Sequence, residues 1–227
     1  YLFYDTRLSG YTGTDPDSMM SCATCHVQAN NFDVGMNNPR FPGGQTFGVT
    51  GIPTPHNAMP LMNLVFNHEG YFWNGMICDA NPNRRTLEDV VSMGIIAPHE
   101  MNTTIEKAVA AIKTETSYPE MFKKAFGTPD ITIERIEKAV AQFIRTLISA
   151  DSKFDRYMRG EAQLNDSELR GYILFTTEEG ADCFHCHGSE GTPLFTTNQF
   201  YNNALESEFT DPRDRYGFTG NTSDIGA

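Results

Sequence analysis

The stretches SCATCHVQ (21–28) and DCFHCHGS (182–189) each hold two cysteines separated by two residues and followed at once by a histidine: Cys22, Cys25, His26 and Cys183, Cys186, His187. Whether two such units, about 160 residues apart, are metal corners, redox dithiols or sites of covalently held haem decides what chemistry the chain can carry. Three chemistries use thiols in this spacing. In c-type haem attachment both thiols add to the vinyl groups of one porphyrin, and the adjacent His lies under the iron as its proximal ligand, so every fixed position has a role. A zinc cage would recruit Cys22, Cys25, Cys183 and Cys186, but zinc corners pair over much shorter separations and both histidines would be unexplained. A redox dithiol needs a βαβ context that neither stretch has. A CxxC disulfide closes too small a loop to contribute much entropy, and it would leave Cys78, in GMICDANPN, alone. Cys78 itself reads as a buried or loop thiol with no role.

Composition sets few further limits. The 227 residues can bury one large or two small cores, and 39% hydrophobic with 20% charged residues is ordinary globular composition. No apolar run approaches the ~18 residues that a membrane span needs. The formal net charge is −12, and residues 161–227 hold twelve acids against Arg170, Arg213 and Arg215, a net −9. Such a surface argues against nucleic acid and favours a basic partner, or serves solubility alone. The chain opens on YLFYDTRLS without an initiator Met, so it is silent about targeting.

The first hundred residues are rich in Gly, Pro and Asn (NNPRFPGGQTFGVTGIPTPHNAMP) and keep no sustained period, which predicts long ordered loops around short helices. From Thr103 onward the pattern turns helical. Ile105, Val109 and Ile112 share one face, and Thr132 caps a stronger helix whose stripe is Ile133, Ile136, Val140, Phe143, Ile144 and Leu147. A third helix starting near Asn165–Ser167, with Leu169, Ile173 and Leu174, is predicted to run to Gly180 and deliver the chain into DCFHCH. The polar SADSKFDRYMRGEAQ between the last two is the natural domain junction.

With both CxxCH units placed, the stretches LFYDTRLSG, SCATCH, NAMPLMNLVFN, YFWNG, TLEDV, HEMN, AFG, FIRTLIS, FDRYMRGE and CFHCH resemble, in order, those of the bacterial di-haem cytochrome c peroxidases. That family includes the related methylamine-utilisation di-haem enzyme. The resemblance implies a mainly α protein of two cytochrome-c-like domains with long ordered loops, over residues 1–150 and 151–227, the second incomplete. It implies two covalently bound c-type haems. The N-terminal one (Cys22, Cys25, His26) reacts with hydrogen peroxide, and the C-terminal one (Cys183, Cys186, His187) takes electrons from a small donor of cytochrome c or cupredoxin type. Trp73 falls at the family position between the haems, against the alternative of a core aromatic anchor. Glu100 in HEMN matches the distal glutamate: peroxide must lose a proton from one oxygen and gain one on the departing oxygen, and a carboxylate over the open face can shuttle it. Asn57 matches a ligand of a structural calcium ion, whose other ligands are expected past residue 227. A periplasmic or otherwise exported bacterial protein follows from the resemblance, with a homodimer as one assembly open to it.

Three departures bear on the chemistry. GGQTFGVTG lacks the distal His that many members place in this loop, Val49 falling near that position, which implies an N-terminal haem open to peroxide without reductive activation. His56 is the nearby alternative ligand, set against an ordinary polar loop residue. Val90 stands at the position of the family's distal glutamine, across the insertion ICDANPN. No Met or His follows His187, so either the second haem is five-coordinate or its ligand lies on a segment beyond residue 227; the latter is expected. The leading reading is a di-haem peroxidase. Beside it stand an enzyme that oxidatively modifies residues of a partner protein, and a di-haem electron carrier in which Glu100 is incidental.

Overall fold

The computed structural model describes residues 1–15, 18–54, 56–73, 75–78, 86–188 and 194–201. Most of ICDANPN and the chain's end, where the expected truncation and Arg213 and Arg215 fall, lie outside the described residues. The described elements are eight helices and one two-stranded ribbon: α1 (Cys22–Cys25), β1 (Gly70–Tyr71), β2 (Ile77–Cys78), α2 (Leu87–Ile96), α3 (Ile105–Lys113), α4 (Tyr118–Phe126), α5 (Ile133–Arg145), α6 (Lys153–Met158), α7 (Asp166–Thr176) and α8 (Phe184–His187). Apart from the short α1 and the β1–β2 ribbon, the described chain before α2 runs as loops and single 3-10 turns, as its Gly, Pro and Asn content predicts.

The core is built on α2 against α5. In α5 the positions Ile136, Val140, Ala141 and Ile144 are buried, the i, i+4, i+5, i+8 stripe that one helical face provides. From α2 come Leu87, Val91, Met93 and Ile95. Arg145 in the last turn of α5 donates from Nη1 and Nη2 to the two Glu88 oxygens at 2.7 and 2.9 Å, which locks the C-terminus of one helix to the N-terminus of the other. Thr86 precedes α2 and takes its place in a capping box, its backbone N–H donating to Asp89 Oδ2 at 2.8 Å.

The N-terminal segment closes this core from the side. Leu2, Phe3 and Leu8 are buried, and the ring of Phe3 meets Phe32 and Phe143 at 5.8 and 5.0 Å. Asp5 is buried as well, and it is partnered: Tyr118 Oη donates to it at 2.5 Å and Arg7 Nε at 2.9 Å.

The predicted N-cap Thr132 stands where α5 begins, and α7 begins within the predicted Asn165–Ser167, with Asn165 as its cap. The predicted run of the third helix to Gly180 is corrected: α7 ends at Thr176. The hydroxyls of Thr176 and Thr177 turn back to the Tyr172 and Ile173 carbonyls at 2.8 and 2.9 Å, and a turn separates α7 from α8. The polar junction segment carries α6, capped by Ser152 and Asp155. Residues of α6, α7 and the return after α8 gather as an aromatic cluster, with Phe154 at 5.2 Å from Tyr172 and 4.8 Å from Phe195. No helix among the described residues is long and apolar enough to cross a membrane.

Candidate haem site

One cavity of about 390 Å³ lies between α1, α2 and the loops 54–61 and 98–101. Its walls are mostly apolar, with Leu61, Val90, Val91, Val140 and Ile144 among them. Into it open Cys22, Cys25, His26, His56, Asn57, His99 and Glu100. Chain segments far apart in sequence thus meet at the first CxxCH unit, while Cys183, Cys186 and His187 stand apart from it.

The four residues of α1 form one helical turn, on which positions 22 and 25 share a face. Thr24 steadies the start of the turn, its hydroxyl accepting from the Ser21 N–H at 2.9 Å. Burial, together with the nearby Glu100 charge, pushes the Cys22 thiol up to about 12, and the same causes push Cys25 up to about 12. A reactive dithiol works through a depressed thiol, so this environment opposes that chemistry. Nor do the two corners converge: among the described residues no three His, Cys, Asp or Glu side chains stand where they could hold a metal ion.

His26 caps the end of α1. Its Nδ1 lies 3.2 Å from the Phe32 carbonyl, which only accepts, so Nδ1 carries the proton and Nε2 keeps its lone pair. Burial lowers the imidazole's affinity for a proton, with backbone hydrogen bonding to Phe32 and Met59 and the Asp33 charge acting against it. Neutral imidazole is the form that ligates iron. To aim that carbonyl, Asn31 and Phe32 both take left-handed backbone, φ 58° and 60°, an uncommon choice for a phenylalanine.

The second unit repeats the arrangement. His187 ends α8, and its Nδ1 lies 3.3 Å from the carbonyl of Phe195, again left-handed at φ 51°. Phe32 packs against Phe3 and Phe143, and Phe195 against Phe154 and Phe175, so each accepting carbonyl is anchored by an aromatic cluster. Cys183 is half-buried and Cys186 exposed.

Glu100 sits on the turn after α2, opposite α1. Its N–H donates to Ala97 O at 3.0 Å, and its carbonyl accepts from the Val49 N–H at 2.9 Å. Although 37% of the side chain is accessible, that surface opens on the cavity, and burial holds the carboxyl up to about 7. His99 Nε2 lies 3.8 Å from Glu100 Oε1.

The remaining expected residues divide. Val90 lines the cavity, while Val49 is in the neighbouring cluster of Met20, Val34 and Phe41. His56 and Asn57 are exposed at the cavity rim, and among the described residues no group of acidic, His or Cys side chains stands where it could hold a metal ion. Trp73 is 49% exposed and is not a cavity wall, although Phe72 beside it is. Cys78 is buried in β2. Sequence reasoning missed His99, which its place beside Glu100 could have flagged, and the two Phe carbonyls, which no residue type announces.

The donor set suits haem: paired neutral thiols on one turn, a neutral imidazole beside them, and an apolar chamber with one carboxylic acid. The family of di-haem cytochrome c peroxidases matches residues 1–163. The cytochrome c551 peroxidase of Nitrosomonas europaea is 35% identical over 187 residues, 82% of this chain and 49% of that protein. The methylamine utilization protein MauG of Methylophilus methylotrophus is 31% identical over 208 residues, 91% of this chain and 55% of that protein. Among solved structures, a MauG-like protein associated with microbial copper homeostasis superposes with a TM-score of 0.74 at 30% identity, over 99% of this chain and 64% of that one. The chain spans about half the length of the curated relatives it matches. By sequence and by fold it belongs to the di-haem cytochrome c peroxidase family.

Proposed function

We propose that the protein reduces hydrogen peroxide to water, drawing two electrons from a small redox protein in the bacterial periplasm. In this reading residues 1–150 form the peroxide-reacting domain and 151–227 belong to the domain that receives electrons. The observation that carries it is Glu100: a carboxyl held up to about 7, opening on the cavity that the Cys22 and Cys25 thiols and His26 also line.

Haem, when bound, supplies the iron and the electron storage that peroxide reduction needs. Cys22 and Cys25 would tether it through thioethers, and His26, oriented by the Phe32 carbonyl, would ligate it. Cys183, Cys186 and His187, the last oriented by the Phe195 carbonyl, would hold the second. The balance is one peroxide, two electrons and two protons to two waters. Glu100 takes the proton from one peroxide oxygen and returns it to the departing one, and its raised affinity suits both halves of that task near neutrality. Apolar walls such as Val90 and Val91 keep bulk water from the reacting oxygens. Trp73 lies on the electron route between the two sites in this reading. The 46–54 loop carries no histidine and its Val49 is bonded to the Glu100 carbonyl, so in this reading that loop supplies no ligand that would close the peroxide site before reduction.

The test uses the full-length, haem-loaded protein with reduced cytochrome c and peroxide. Wild type turns over, and Glu100→Gln lowers kcat by roughly 10²- to 10⁴-fold. A wild type that consumes no peroxide, or a Gln variant at the wild-type rate, sinks the reading.

A further inference from the structure

Gly94 stands inside α2, where glycine is a poor choice: it loses more backbone freedom on folding than alanine and has nothing to pack. Its backbone is right-handed helix, so no special conformation calls for it. The reason lies in what surrounds it. A β-carbon built at Gly94 would lie 2.9 Å from Glu100 Oε2 and 4.0 Å from Glu100 Cδ, and beyond the adjoining residues and backbone of α2 itself would meet nothing else described within 4 Å. The space of the missing side chain is therefore the seat of the carboxylate.

The backbone of Glu100 is fixed on its other side. A β-carbon at Gly48 would come within 2.2 Å of Glu100 O and 2.5 Å of Glu100 N, so the 46–54 loop lies directly on this turn. Val49 N–H donates to the Glu100 carbonyl at 2.9 Å, and Thr50 Oγ1 donates to Pro98 O at 2.7 Å. Gly10 N–H donates to Met101 O at 2.6 Å from the N-terminal segment. With the backbone held between these segments, only the carboxylate end can yield to a group placed at position 94.

We propose that Gly94 is a positioning residue for Glu100: its lack of a side chain leaves the seat from which the carboxylate faces the cavity of Cys22, Cys25 and His26. The proposal rests on the reading of Glu100 as the proton shuttle. It sets stability against activity at one position. An alanine pushes aside the flexible end of Glu100 and not the backbone, so the chain folds, and α2 gains from losing its glycine. The displaced carboxylate, however, no longer reaches the oxygens it serves, and misplacement of a reacting group by about 1 Å costs on the order of 100-fold.

Four full-length, haem-loaded proteins test this: wild type, Gly94→Ala, Glu100→Gln and the double variant. Gly94→Ala is expected to raise Tm by about 2 °C and to lower kcat for peroxide roughly 10- to 100-fold. In the Glu100→Gln background the same change alters kcat by less than about twofold, because the group it displaces is already inert. The proposal is overturned if Gly94→Ala keeps the wild-type kcat, lowers Tm, or costs as much without Glu100 as with it. Wild-type turnover in Glu100→Gln alone overturns the proton-shuttle reading instead, whatever Gly94→Ala does.

Discussion

Glu100 carries a proton to higher pH in the folded chain than in water, where its carboxyl would titrate near 4.5, because burial at the cavity disfavours its charge and holds it up to about 7. The sign of the linkage follows. Between those two values the folded state binds more protons than the unfolded one, so raising the pH through this window removes stability, and the loss is complete above about 7. Thermal unfolding of wild type and Glu100→Gln, compared from about pH 4 to 8, should show the wild type losing ground to the variant as pH rises. A constant difference would mean that the carboxyl titrates as if in water. The same group should appear in kinetics, as a limb of kcat/KM for peroxide that rises through about pH 7 and is missing in the Gln variant. Trp73, which the family position sets between the two haems, is half exposed and stands beside Phe72 of the cavity wall.

Among elements, α5 carries most of what the N-terminal site stands on, since Val140 and Ile144 are both core and cavity wall. Ile136, one turn earlier and fully buried, touches the core without lining the cavity. Ile136→Ala should therefore cost roughly 2–5 kcal/mol of stability, read from urea titration. Peroxide kcat measured well below the midpoint should stay near wild type. A cost under about 1 kcal/mol would mean that the α2–α5 contact is not the main support. Helices of this kind were legible in the sequence, because α3, α5 and α7 each join a polar N-cap (Thr104, Thr132, Asn165) to one apolar stripe. Less legible was α2: LEDVVSMGII is apolar on nearly every side because one face meets α5 and another the cavity, which erases the period. Likewise α6 hid in a polar stretch, being six residues long with no buried face to print a stripe.

For the whole molecule, the two CxxCH units are the part of the site that sequence alone could place, since all their donors are contiguous. What orients those donors was not readable. The carbonyls of Phe32 and Phe195 reach their histidines through left-handed turns and aromatic clusters assembled from distant segments. Glu100 was named only through family resemblance, because a single acid in a loop has no spacing to distinguish it. The repeated geometry does imply something the zinc reading does not: two separate sites, each drawing on its own CxxCH residues. Protein from a host with periplasmic haem-attachment machinery should retain, after denaturation, the absorbance of two c-type haems per chain. Cys22→Ala with Cys25→Ala should leave one, and Cys183→Ala with Cys186→Ala should leave the other, because neither His–carbonyl pair draws on the opposite unit. A single four-thiol site would instead be lost whole in either variant. The remaining haem also tells which unit meets peroxide. The variant lacking the first should bind no peroxide-competing ligand such as cyanide at the Glu100 cavity, whereas the variant lacking the second should bind it and yet fail to draw electrons from the donor.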